Sequence, residues 1–186
     1  QGSYQQKFQQ RFCEYTGTRH AFALNNATAA LELAAQLSQF DEGDEEIIPG
    51  HTFTASAYPF LKKGARIVWA DIDLNTRVIT AETIERCITP KTRMIVVVHL
   101  YGYGAEMPDI MELAQRHNLL VVEDAAQALG VEIEGQMAGT FGDFGVYSFH
   151  SHKNISTLGE GGILTVRDER IANIIPMLGH NGHCAF

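Results

Sequence analysis

Two runs of four apolar residues, Ile95-Val96-Val97-Val98 and Leu119-Leu120-Val121-Val122, restrict the possible folds of this chain more than any other feature. A strand with one face in water alternates polar and apolar residues. A strand apolar on both faces must be covered twice, as in a parallel sheet with helices on either side. The intervening segments have helical spacing, so the order predicts helix 3–15, strand His20–Leu24, helix Ala27–Gln39, strand Glu46–Ile48, helix Thr54–Lys63, strand Arg66–Ala70, helix Ala81–Cys87, strand Met94–Val98, helix Pro108–His117 and strand Leu119–Val122. Beyond Val131, short β pieces punctuated by Gly135, Gly139, Gly142 and Gly145 lead to strands Phe144–Ser148 and Gly162–Val166 and a helix Asp168–Leu178. Alternation of this kind specifies the α/β class with a mostly parallel sheet. In the first helix, Tyr4, Phe8, Phe12 and Tyr15 form an aromatic stripe expected to pack inward.

The 186 residues suit one domain, 1–186, with a single well-filled core. A formal net charge of -8 and the lack of any Lys/Arg block argue against a nucleic-acid surface. Cys13, Cys87 and Cys184 are far apart and include no Cys-x-x-Cys pair, so neither a disulfide framework nor a structural zinc site is suggested, and a reducing cytoplasm is the expected setting. The apolar runs are too short to span a bilayer, and no membrane partner is expected. His180, His183 and Cys184 lie on a loop without a supporting carboxylate pattern, so no metal is expected.

In α/β sheets ligands bind beyond the carboxyl ends of the strands, so the residues that follow strands are the candidates for chemistry. Lys153 lies five residues past a strand end, in Ser-Phe-His-Ser-His-Lys-Asn ahead of Gly159-Glu160-Gly161-Gly162. A lysine in such a half-buried, glycine-flanked turn has the setting of a Schiff-base amine. Asp124 follows Val121-Val122-Glu123; it reads either as a helix cap for 125–129 or as a partly desolvated acid suited to a cationic ring nitrogen. Gln127 offers an amide three residues on. Asn26-Ala27-Thr28 opens a helix directly after a strand, where free N–H groups favour a phosphate, and Ser148 at another strand end adds a hydroxyl. Phe53, in His51-Thr52-Phe53-Thr54, is placed to lie against a planar ring. Each signal has an ordinary structural explanation, but their joint occurrence describes a pocket for pyridoxal 5'-phosphate.

The chain resembles the DegT/StrS family of sugar aminotransferases, of the aspartate aminotransferase fold type. The resemblance is carried by Asn26-Ala27-Thr28-Ala29-Ala30-Leu31, Gly43-Asp44-Glu45-Glu46-Ile47-Ile48-Pro49, Thr52-Phe53-Thr54-Ala55, Val98-His99-Leu100-Tyr101-Gly102, Glu123-Asp124-Ala125-Ala126-Gln127 and the Lys153 block. It implies a three-layer α/β/α large domain of fold type I, with a smaller C-terminal domain absent from this chain. It also implies that Lys153 is catalytic and holds the cofactor aldehyde, Asp124 pairs with the pyridine nitrogen and Gln127 contacts the ring hydroxyl. Ser148 and the Ala27 and Thr28 backbone would bind the phosphate, and Phe53 would stack on the ring. The implied reaction moves nitrogen from an amino acid, usually glutamate, to a keto-sugar, usually nucleotide-linked, in polysaccharide or secondary-metabolite sugar biosynthesis, in a homodimer.

The rival readings are a sugar dehydratase, a branch that carries histidine where Lys153 stands, a cofactor-binding protein without turnover, and a relative acting on amino acids alone. Two departures from the family pattern stand out. Ala27 occupies a position that is commonly glycine, which predicts a less adaptable phosphate turn. The segment near Gly179 lacks a commonly present basic residue.

Overall fold

A computed structural model describes residues 2–178. Seven strands form one sheet: β1 (His20–Leu24), β2 (Glu45–Pro49), β3 (Arg66–Ala70), β4 (Thr92–Val98), β5 (Leu120–Asp124), β8 (Phe144–Ser148) and β9 (Gly162–Val166). Between β5 and β8, β6 (Glu132–Ile133) and β7 (Gln136–Met137) make a separate two-stranded hairpin. The sheet order is β1-β9-β8-β5-β4-β2-β3; β9 runs antiparallel to both its neighbours and every other pairing is parallel.

Helices cover both faces. On one side α2 (Ala27–Leu37), α3 (Tyr58–Lys62) and α6 (Glu169–Leu178) pack through Leu31, Ala34, Phe60 and Ile175 against Ile48, Val96, Val122 and Val146. On the other, α4 (Ala81–Glu85) and α5 (Met107–His117) pack through Ile84, Ile110 and Leu113 against Ile47, Ile95, Val97 and Val121. That second layer is extended by α1 (Ser3–Thr16), whose Phe12 meets Tyr147 and Ile163. Strand residues one apart in sequence therefore point into different cores, which explains the uninterrupted apolar runs. The result is the expected three-layer α/β/α arrangement.

Several local expectations are corrected. The helix expected over 54–63 is a 3-10 turn, Thr54–Ser56, followed by the short α3, with Pro59 in its first turn. Of the α1 stripe, Phe8 and Phe12 pack on Phe149 and Tyr147, while Tyr4 and Tyr15, near the two ends of the helix, are exposed. β5 ends at Asp124 itself rather than at Val122, and 125–129 forms turns, so Asp124 caps no helix.

Candidate active site

The carboxyl ends of β1, β4, β5 and β8 surround a cleft of about 450 Å³, and every residue singled out above lines it: Ala27, Thr28, Phe53, Asp124, Gln127, Ser148 and Lys153. Residues far apart in sequence meet because the parallel strands all present their carboxyl ends at one edge of the sheet.

At one end is the turn into α2. Asn26 caps the helix through Oδ1, which accepts from Ala29 N at 2.8 Å, and the N–H groups of Ala27 and Thr28 have no acceptor among the described residues. These are the orphan donors of a helix start, aimed where an anion is favoured. Ser148 is brought beside them by Gly162, which is in register with both Leu24 and Ser148. A Cβ on Gly162 would lie 2.3 Å from the Asn26 carbonyl carbon, so only glycine lets the turn rest on β9. Ala27, by contrast, sits in the first helical turn without positive φ, so its Cβ costs this backbone nothing and the less adaptable turn expected there does not arise.

In the middle of the cleft is Asp124, 6% exposed. Its Oδ2 accepts from Ser56 Oγ at 2.6 Å and its Oδ1 from Ala126 N at 3.1 Å. The Thr52 and Ser56 hydroxyls are 2.8 Å apart, so with the Ser56 proton directed at Asp124, Thr52 donates to Ser56. The carboxylate is thereby oriented from two sides with acceptor capacity remaining for a ring N–H. Sequence reasoning missed Ser56 and Thr52, because their role arises only from the 3-10 turn that carries Ser56 across to β5. Gln127 accepts the Tyr101 N–H on Oε1 at 2.8 Å.

Lys153 lies in the connection from β8 to β9. The connection is held by Phe149 N to Gly161 O and Ser151 N to Gly159 O, both 2.8 Å, and by Lys153 N to His150 O at 2.9 Å. Lys153 is half-buried and lines both the main cleft and an adjoining hollow with Tyr101, Leu129 and Ile155. Phe53 stands at the mouth, 70% exposed. Among the described residues there is no cluster of three His, Cys, Asp or Glu able to hold a metal, and no helix long and apolar enough to cross a membrane. His180, His183, Cys184 and the segment at Gly179 lie outside the described residues.

Comparison with known proteins finds similar sequences and similar folds. The chain is 43% identical over 95% of its length to a GDP-perosamine synthase of Caulobacter vibrioides, of which it covers 47%. It superimposes with a TM-score of 0.90 on the crystal structure of an aminotransferase from Psychrobacter cryohalolentis, 40% identical, covering 92% of this chain and 44% of that one. It also matches an E. coli GDP-4-keto-6-deoxy-D-mannose-3-dehydratase solved with hydrated PLP, at TM-score 0.89 and 27% identity, over 94% of this chain and 46% of the other. The chain thus spans about half the length of the curated relatives it matches. With residues 1–185 matching its profile, the chain belongs to the DegT/DnrJ/EryC1/StrS aminotransferase family.

Proposed function

We propose that this chain is the cofactor-binding part of a pyridoxal-phosphate-dependent aminotransferase that moves nitrogen from an amino acid, glutamate, to a keto-sugar carried on a nucleotide. The observation that carries the reading is the convergence, in one cleft, of Lys153, Asp124, Gln127, Ser148 and the free N–H groups of α2. The residues suit the group: an anion site at a helix start, a buried oriented acid, an amide and a half-buried amine, in a space whose phosphate end is shaped by a glycine that tolerates no Cβ.

Ala27 N, Thr28 N and Ser148 Oγ would hold the phosphate, Asp124 the ring nitrogen and Gln127 the ring oxygen, with Phe53 against the ring and Lys153 Nζ on the aldehyde. Bound pyridoxal phosphate supplies an electron sink for the carbon that loses a proton. Asp124, buried and held by Ser56 and Ala126, would keep a proton on the ring nitrogen. Lys153 Nζ would move the proton of the reaction, taking it from the substrate carbon that bears nitrogen as a general base and giving it back as a general acid.

Lys153 favours aminotransfer over the dehydratase reading, in which histidine replaces it. The names of the relatives, among them a UDP-N-acetyl-3-dehydro-glucosamine aminotransferase of Acidithiobacillus ferrooxidans, support a nucleotide-linked sugar. The exposed apolar rim of Phe53, Tyr101, Tyr103, Ile155 and Leu158 supports a homodimer that covers the cleft mouth, and the composition supports a cytoplasmic setting.

Borohydride reduction of the holoenzyme, followed by peptide mapping, is expected to fix the cofactor on Lys153. A different labelled residue, or none, refutes the assignment. Incubation with glutamate and a nucleotide-linked keto-sugar is expected to yield amino-sugar, and a deoxygenated product without nitrogen would select the dehydratase reading.

A further inference from the structure

At the floor of the cleft, which His99 helps to line, lies a buried polar assembly that the roles described above do not account for. Glu123, fully buried, accepts four hydrogen bonds: Gly139 N at 2.7 Å and His99 Nε2 at 2.9 Å on Oε2, and Phe141 N at 2.7 Å and Gly142 N at 2.6 Å on Oε1. His99 is fully buried too, and its Nδ1 accepts from Ala105 N at 3.1 Å. An accepting Nδ1 carries no proton, so the ring proton sits on Nε2 and points at Glu123. The His99 peptide N–H donates to the Asp124 carbonyl at 3.1 Å. Segment 99–105 is thus closed on the His99 ring, and His99 is fastened to β5 by both its peptide N–H and its side chain.

Within that segment Tyr101 takes a left-handed conformation, φ 56° and ψ 19°, which a residue with a Cβ adopts only where its surroundings impose it. In that conformation its N–H meets Gln127 Oε1. A peptide N–H is matched only by the oxygen end of an amide, so the Gln127 NH2 is the end left over, and it has no acceptor among the described residues. We propose that His99 and Glu123 are positioning residues which, through Tyr101, orient the Gln127 amide so that it offers a donor and not an acceptor to the ring oxygen of the cofactor. This rests on the cofactor reading above and deepens it.

A donor at that oxygen favours its deprotonated form, and the visible absorption of the bound cofactor reports that equilibrium. In the holoenzyme, Gln127→Ala is expected to move the pH midpoint of the band by about one unit, the size of one charge-assisted hydrogen bond. His99→Gln is expected to move it in the same direction by a comparable amount, and the double variant no further than Gln127→Ala alone. Glu123→Gln supplies a second route. Its single amide oxygen can serve only one of the two donor pairs; with that oxygen kept on Phe141 N and Gly142 N, the NH2 faces Gly139 N and His99 Nε2–H, the mismatch passes through the ring to Ala105, and the same shift is expected.

A His99→Gln enzyme with the wild-type midpoint but a lower melting temperature, or a double variant whose shifts add, overturns the positioning role. If Glu123→Gln does not fold, His99→Gln and the double variant decide alone. Failure of the underlying reading looks different: the wild type shows no visible band, or Gln127→Ala leaves the midpoint unmoved.

Discussion

Replacing Glu46 by methionine is expected to stabilise the protein at neutral pH, against the usual rule that core substitutions weaken a fold. Glu46 is fully buried on β2, in register with Ile67 and Met94 and on the face of Ile48, beneath α2 and α3. Neither carboxyl oxygen has a hydrogen-bond partner among the described residues, and burial pushes its pKa well above the usual glutamate range. In the unfolded chain the group titrates at about 4.3, so holding it protonated in the fold costs about 1.4 kcal/mol per pH unit above that, at most about 4 kcal/mol at pH 7. The unmade hydrogen bonds add about 1–3 kcal/mol.

Because the folded state binds the extra proton, wild-type stability is highest below the unfolded value and declines as pH rises toward the folded one. Glu46→Met removes both costs at nearly constant volume. Its urea midpoint should exceed that of wild type at every pH, by a margin that widens between pH 4.5 and pH 7. Glu46→Gln, which keeps the polarity but cannot titrate, should show the widening with a smaller constant offset. A margin independent of pH, or a methionine variant less stable than wild type, would show that the carboxyl has a partner in the fold and would refute the reasoning.

Gly162→Ala would push the Asn26–Ala27 turn off β9, since the added Cβ meets backbone at 2.3 Å; cofactor affinity measured by absorbance titration should fall at least about tenfold, in step with the loss of a hydrogen bond or more at the phosphate. Ser56→Ala removes the buried donor to Asp124 Oδ2 and should weaken cofactor binding by about 1–3 kcal/mol, while a variant that binds as wild type would place the orienting role elsewhere. Asn26→Ala deletes the cap of α2 and should lower stability by about 1 kcal/mol in denaturant unfolding, and Asn26→Asp should restore it. Lys153→Arg should abolish amino-sugar formation from glutamate and a keto-sugar, and unabated nitrogen exchange would end the aminotransferase reading.

What the sequence determined by itself was the alternation of elements and the positions of groups at strand ends. Hydrophobic period and turn residues act locally, which is why β1, β3, β8 and β9 run over the expected residues and why Asn26 was legible as a cap. The seven residues proposed for the cofactor line one cleft because a parallel sheet presents its carboxyl ends together, so groups that follow strands meet.

Tertiary structure alone decided the rest. The packing of α1 left Tyr4 and Tyr15 in solvent, and Pro59 and the return to β3 divided the 54–63 segment so that Ser56 reached Asp124. Hydrogen bonds between residues such as His99 and Glu123, 24 positions apart, leave no period in a sequence. They form only when two neighbouring strands carry the partners to the same depth, and a buried glutamate reads on the page like any other until its surroundings show whether four donors meet it, as at Glu123, or none, as at Glu46.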